Sequence, residues 1–190
     1  MHRCIWVPKD NQEYINYHDN EWGVPVFDDK KLFEFLILEG AQAGLSWSTI
    51  LKRRQSYKIA FANWNVNKIS EFDEKDIEKL LFNKGIIRNK LKIKSAINNA
   101  NQFIKIQEVF GSFSKYIWDF VNNISIQNNW KTIDKVPAQT DLSIKISKDL
   151  KKRGFSFIGP TIIYAYMQAI GMVNDHTVDC FRYNQINFKK

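Results

Sequence analysis

Apolar residues recur at three- and four-residue spacing along nearly all of this 190-residue chain, and no alternating apolar and polar run reaches strand length. The periodicity predicts an all-α fold without internal repeats. Asp28 or Asp29 is placed to cap a helix running to about Ala43, with Gly44 as its stop. Ser46 is placed to cap the next, carried by Trp47, Ile50, Leu51, Tyr57 and Phe61. Asp73 and Asp76 open another that ends near Phe82, and the pattern continues over 91–106, 113–121, 142–153 and 160–170. The last has Pro160 in its first turn and Gly171 as its stop. Residues 124–140, rich in Asn and Gln, read as a loop or a junction.

A chain of this length is one domain, 1–190. Its net charge of +8 favours a polyanionic partner, nucleic acid before membrane. The charge is segregated. Residues 9–39 hold eight acids and three bases, whereas residues 84–107 hold six bases and no acid. Residues 145–153 (KISKDLKKR) and Lys52, Arg53 and Arg54 form further basic clusters. Each cluster alone reads as a solvated helix face; together, with the acids collected elsewhere, they favour a shared basic face. Two cysteines exclude a disulfide scaffold and fit a reducing compartment. With no membrane-length apolar run and no cleavable leader at the start, a cytoplasmic protein is expected. No heptad demands a dimer, so a monomer is expected.

His176 and Cys180 stand four apart, which on a helical turn puts both on one face, with Asn174 or Asp175 as its cap. Cys4 and His18 lie near the other terminus. Two thiolates and two imidazoles make a closed tetrahedral set for zinc, which would be structural and would tie the chain ends together. The competing interpretation is four unrelated residues, since no tight CxxC pair is present.

The N-terminal quarter carries Trp6, Tyr14, Tyr17, Trp22, Phe27 and Trp47. Within it, Glu39 follows Phe35 and Leu36 by four and three residues and so shares their inward face. Either the helix frays there and Glu39 reaches water, or it forms the anionic floor of an aromatic pocket. Such a pocket suits a planar cationic ligand such as a charged purine. Leu45, in the tight turn after this helix, is either core or a wedge that fills a vacated base stack.

These residues resemble the bacterial DNA-3-methyladenine glycosylase I family, a branch of the helix-hairpin-helix glycosylases. The resemblance rests on RCIW at 3–6, YHDNEWGVP at 17–25, LEGAQAGLSWSTIL at 38–51 and KKRGFSFIGPTIIYAYMQAIGMVNDHTVDC at 151–180. It implies a single glycosylase domain whose segments 1–27 and 172–190 pack as a zinc-bound subdomain. Cys4, His18, His176 and Cys180 fall where the family places its structural zinc ligands. Glu39 falls on the carboxylate that recognises the alkylated adenine. Trp47 falls on the ring that stacks on it, with Tyr17, Trp6 and Trp22 completing the pocket and the base held between Trp47 and Tyr17. Residues 155–161 resemble the phosphate-binding hairpin, with Gly159, Thr161 and Lys152 facing DNA beside Gly44 and the wedge Leu45. Phe157 replaces a customary hairpin glycine, Asn174 stands where related enzymes have a catalytic Asp, and Thr161 stands where bifunctional members have a lyase Lys. The implied activity is monofunctional excision of 3-methyladenine from double-stranded DNA in base excision repair. The alternative from a different class is a non-catalytic, zinc-stabilised nucleic-acid-binding module.

Overall fold

The computed structural model describes residues 1–186. Among them are ten α-helices: α1 (Gln12–Asn20), α2 (Asp29–Gln42), α3 (Trp47–Leu51), α4 (Arg54–Ala60), α5 (Val66–Ser70), α6 (Glu74–Phe82), α7 (Lys90–Phe110), α8 (Phe113–Asp119), α9 (Asp141–Lys152) and α10 (Pro160–Ala169). The helical interpretation of the periodicity is borne out. One departure is a parallel pairing of β1 (Ile126–Gln127) with β2 (Val173–Asn174), two residues each and too short to show as alternation.

The core is built around α2, whose residues 32–41 are all buried, so it is enclosed on every side rather than striped, with Glu34 and Glu39 as its buried acids. Helices α3, α7, α8 and α10 pack on it. Phe33 meets Phe103 of α7 edge-on at 5.2 Å, and Phe103 stacks on Phe113 of α8 at 4.1 Å. Each ring so buried stabilises the fold by roughly 2–3 kcal/mol. Both acids at the start of α2 are used. The Lys31 N–H donates to Asp28 at 2.8 Å and closes the cap, while Asp29 accepts from the Phe113 and Ser114 N–H groups at 2.9 and 2.8 Å. An anion at the first turn of α8 is favoured by the helix dipole.

The helix expected from Ser46 to Phe61 is broken. Ser46 caps α3 as anticipated, but the ladder stops at Leu51 and restarts at Arg54. The break falls immediately before Arg54, whose guanidinium donates to Glu34 at 2.7 Å and to both Glu21 oxygens at 2.8 and 2.7 Å. Spacing alone carries no information about those distant carboxylates.

Two further features place the site. Loop 153–159 joins α9 to α10, which pack together; Asn99 and Ser95 of α7 hold it at Ser156, and Ser147 of α9 holds it at the Ile158 carbonyl. Phe157 in this loop has φ +54, a left-handed conformation costly for an aromatic residue. After α10, Gly171 adopts φ +73, and a Cβ there would lie 2.4 Å from the Pro25 nitrogen. Only glycine lets segment 23–26 run alongside this end, where Gly23 and Val26 donate to the Gln168 and Ile170 carbonyls at 3.0 Å each. The chain then returns to its own start, with the Phe181 N–H donating to His2 O at 2.9 Å. Residues 187–190 of the terminal segment lie outside the described residues.

Candidate active site

A cavity of about 410 Å³ opens between α1, α2, α3 and α10, and Trp6, Tyr17, Trp22, Glu39, Trp47 and Thr161 all line it. Sequence elements far apart thus converge on one cavity. A larger groove of about 750 Å³ lies between the N-terminal residues and residues 131–134, but no Trp, Tyr or Phe lines it. The aromatic cavity is therefore the better place for a planar ligand.

Glu39 lies within α2, which continues to Gln42, so the helix does not fray there and the side chain is only 5% exposed. It has no hydrogen-bonding or ionic partner among the described residues. Desolvation alone pushes its carboxyl up to about 8. At the cavity floor burial thus favours the neutral acid, where the sequence pointed to an anionic floor. A protonated carboxyl both donates and accepts, which an anion cannot do. Burial, and secondarily Glu39, likewise push the Tyr14 and Tyr17 phenols upward, so both stay neutral donors.

The geometry also corrects the arrangement of the walls. Tyr17 and Trp47 have ring centroids 5.1 Å apart at a 45° tilt. A base between them would need about 7 Å, two contact layers of about 3.5 Å. They therefore form one continuous wall. Trp47 Nε1 is buried without an acceptor.

The polar lining residues Gln42, Tyr164 and Gln168 escaped the sequence reasoning, and Asp175 was anticipated only as a cap. The Asp175 carboxylate, 1% exposed, accepts from Asn128 and Trp130 Nε1 on one oxygen and from Tyr164 and Gln168 on the other, all at 2.6–2.7 Å. Its neighbour Asn174 does not line the cavity. The Asn174 amide is absorbed by Gln127 and the Tyr183 carbonyl at 3.0 Å each, while its oxygen accepts the His176 N–H at 3.2 Å.

Cys4, His18, His176 and Cys180 are all buried, and their four ligand atoms lie within 4.8 Å of one another. The anticipated helical turn across His176 and Cys180 is absent; turns replace it, and Cys180 Sγ still reaches His176 Nδ1 at 3.4 Å. Cys4 Sγ lies 3.5 Å from His176 Nδ1, and Cys180 Sγ lies 3.5 Å from His18 Nε2. The other ring nitrogens are occupied. His18 Nδ1 meets Asp19 at 2.7 Å, which Arg3 grips in turn, and His176 Nε2 meets the Trp22 carbonyl at 3.1 Å. Such outer partners fix the tautomers that leave the facing nitrogens free as ligands. The closeness of the two thiols lowers Cys180 and raises Cys4. The group can hold a metal ion. It also touches the cavity walls: Trp6 packs edge-on to His18 at 5.2 Å and Trp22 to His176 at 4.6 Å.

Leu45 stands 40% exposed in the turn after α2, where Gly44 takes φ +77. Lys152 is exposed at the end of α9, and Gly159 precedes α10. The basic clusters are partly spent within the fold. Arg54 is bound by Glu21 and Glu34, Lys94 by Glu74 and Arg153 by Asp149. Lys52, Lys84, Arg88, Lys90, Lys145, Lys148 and Lys151 remain exposed.

Comparison with known proteins agrees with this geometry. The family model described as methyladenine glycosylase matches residues 6–183. The DNA-3-methyladenine glycosylase 1 of Escherichia coli (strain K12) is 46% identical over 183 residues, 96% of this chain and 97% of that protein. A crystal structure of a 3-methyladenine DNA glycosylase I superposes with a TM-score of 0.92 at 47% identity, covering 95% of this chain and 98% of its own. A variant of such an enzyme, in complex with 3-methyladenine, superposes at 0.91 with 35% identity, covering 95% and 97%. A match of this extent, together with an aromatic cavity floored by a buried carboxyl, means that the chain belongs to the methyladenine glycosylase family.

Proposed function

We propose that this chain is a monofunctional DNA-3-methyladenine glycosylase, which hydrolyses the N-glycosidic bond of the alkylated nucleotide and leaves an abasic site. The observation that carries this reading is the unpartnered, buried Glu39 carboxyl on the floor of an aromatic cavity. A binding-only module has no use for a buried acid in a cavity, because it offers nothing to phosphates.

Methylation at N3 places positive charge on adenine and weakens the bond to the sugar, so little acid assistance is needed to release the base. Selection is the enzyme's main task. The nucleotide is flipped out of the duplex and enters the cavity, where Trp47 stacks on it and Tyr17, Trp6 and Trp22 close the remaining walls. The Glu39 carbonyl oxygen accepts from the exocyclic amino group. A cation beside Glu39 favours its ionised form, so binding draws off its proton and the ion pair so formed rewards the charged base. Neutral adenine gains no such pairing and keeps a strong glycosidic bond. Water then attacks the anomeric carbon.

The loop at 153–159 serves as the hairpin of a helix-hairpin-helix motif. The N–H groups of residues 157–159 meet no acceptor among the described residues, and they precede α10. This is the arrangement that receives a DNA phosphate, with Thr161 and Lys152 beside it. Leu45, lifted by Gly44, acts as the wedge. The Cys₂His₂ group fits zinc: Zn–S of about 2.3 Å and Zn–N of about 2.0–2.1 Å give tetrahedral S···N edges of about 3.5 Å, close to the 3.4–3.5 Å observed. Cys4, His18, His176 and Cys180 would hold the ion with no position left open, and such a site would tie the terminal segments together and buttress Trp6 and Trp22. We place the protein in the cytoplasm as a single-domain monomer acting on double-stranded DNA; among the described residues no helix is long and apolar enough to cross a membrane.

Titration of free 3-methyladenine and of adenine against tryptophan fluorescence tests the pocket. Saturable quenching by 3-methyladenine, with adenine far weaker, is expected. Equal or absent quenching by both would refute the recognition role.

A further inference from the structure

Every helix end leaves carbonyls without partners inside the helix. The C-terminus of α2 is an acute case, because its last turn holds no basic residue and the cavity begins there. Lys92 of α7 fills the need from about fifty positions along the chain. Its Nζ donates to the Ala41 carbonyl at 2.8 Å and to the Ala43 carbonyl at 2.7 Å. Its stem is part-buried beside Gly40, Tyr57 and Ile93, and its own N–H is fixed by Asn89 at 3.1 Å. Burial holds the ammonium below its usual range, as befits a group turned inward rather than to solvent.

Along the chain the two carbonyls lie between two residues that line the cavity. Glu39 precedes them by two and four residues, and Trp47 follows them by six and four. Between them, Leu45 turns back to donate its N–H to the Gln42 carbonyl at 2.6 Å. We propose that Lys92 is a positioning residue for base excision: by binding the Ala41 and Ala43 carbonyls it sets the spacing of Glu39 from Trp47 and the projection of Leu45. A lysine in a basic stretch ordinarily suggests phosphate binding, but two of the three Lys92 donors are already committed to the backbone. The inference rests on the glycosylase reading.

The test compares Lys92→Met, Lys92→Gln and Lys92→Arg on methylated duplex DNA and on free 3-methyladenine. Lys92→Met is expected to lower kcat roughly 100-fold, as misplacement of a reacting group by about 1 Å does. It also weakens quenching by the free base and leaves the salt dependence of DNA binding unchanged. Lys92→Arg keeps the donors and recovers most of both losses. Should the Met variant unfold, Lys92→Gln, which keeps one amide donor, shows an intermediate kcat. Unchanged kcat and base quenching in folded Lys92→Met or Lys92→Gln overturn the proposal. So does a salt slope reduced by about one with kcat retained, which is the signature of a lost phosphate contact. Failure of the glycosylase reading looks different: the unmodified protein itself releases no base, and the proposal falls with it.

Discussion

Burial without a partner turns the Glu39 side chain into a weak acid, and the sign of the effect is fixed. Its folded-state value of about 8 lies above the 4.5 of an ordinary glutamate. The folded protein therefore holds a proton that the unfolded chain has released, and stability falls as pH rises between those values. Full ionisation costs on the order of a few kcal/mol. Thermal melts from about pH 5 to about pH 9 should show Tm declining in the unmodified, ligand-free protein and declining less in Glu39→Gln, whose amide does not titrate. Parallel declines in the two proteins would show that Glu39 is already ionised. The helix phase of Phe35, Leu36 and Glu39 made the inward direction of this residue legible in the sequence. Its protonation was not legible, because that depends on which groups fail to approach it. The contact of Tyr17 with Trp47 was equally hidden, since it is set by how α1 meets α3.

At the scale of elements, caps announced the helices well. Asp28, Ser46, Asp73 and Gly171 sit at the boundaries their chemistry suggests. What spacing could not show is tertiary in origin: the break before Arg54, the left-handed run Ala62–Trp64 with no glycine to signal it, and the non-helical path through Asp175 and His176. Arg54 is the joint of the first of these. Its side chain is 16% exposed and binds two carboxylates on separate elements. Arg54→Met leaves the Glu34 carboxylate, whose side chain is 10% exposed, with Lys31 at 3.1 Å as its remaining partner. Urea melts should show a loss of about 3 kcal/mol, the low end of the cost of breaking one side of a buried pair, because Lys31 still faces the charge. A loss under about 1 kcal/mol would mean that the pair behaves as an exposed surface bridge.

Residues near the start of the chain meet residues 176–181, and the meeting point carries both the Cys and His group that can hold a metal and two walls of the cavity. The spacing of His176 and Cys180 pointed to this cluster even though the helical turn it was drawn from does not exist. The contact of its imidazoles with Trp6 and Trp22 could be seen only in the fold. Removing one ligand should therefore lower stability first and activity only through it. Cys180→Ser is expected to lose about one equivalent of zinc by elemental analysis. It should also lower Tm by several degrees while retaining excision well below its melting point. An unmodified protein that carries no zinc after purification under reducing conditions would overturn the assignment. The released base is what defines the activity. Chromatography of bases freed from methylated duplex DNA should show 3-methyladenine leaving and 7-methylguanine staying, with release slowed roughly 100-fold in Glu39→Gln. Folded, DNA-binding protein that frees no 3-methyladenine would contradict it.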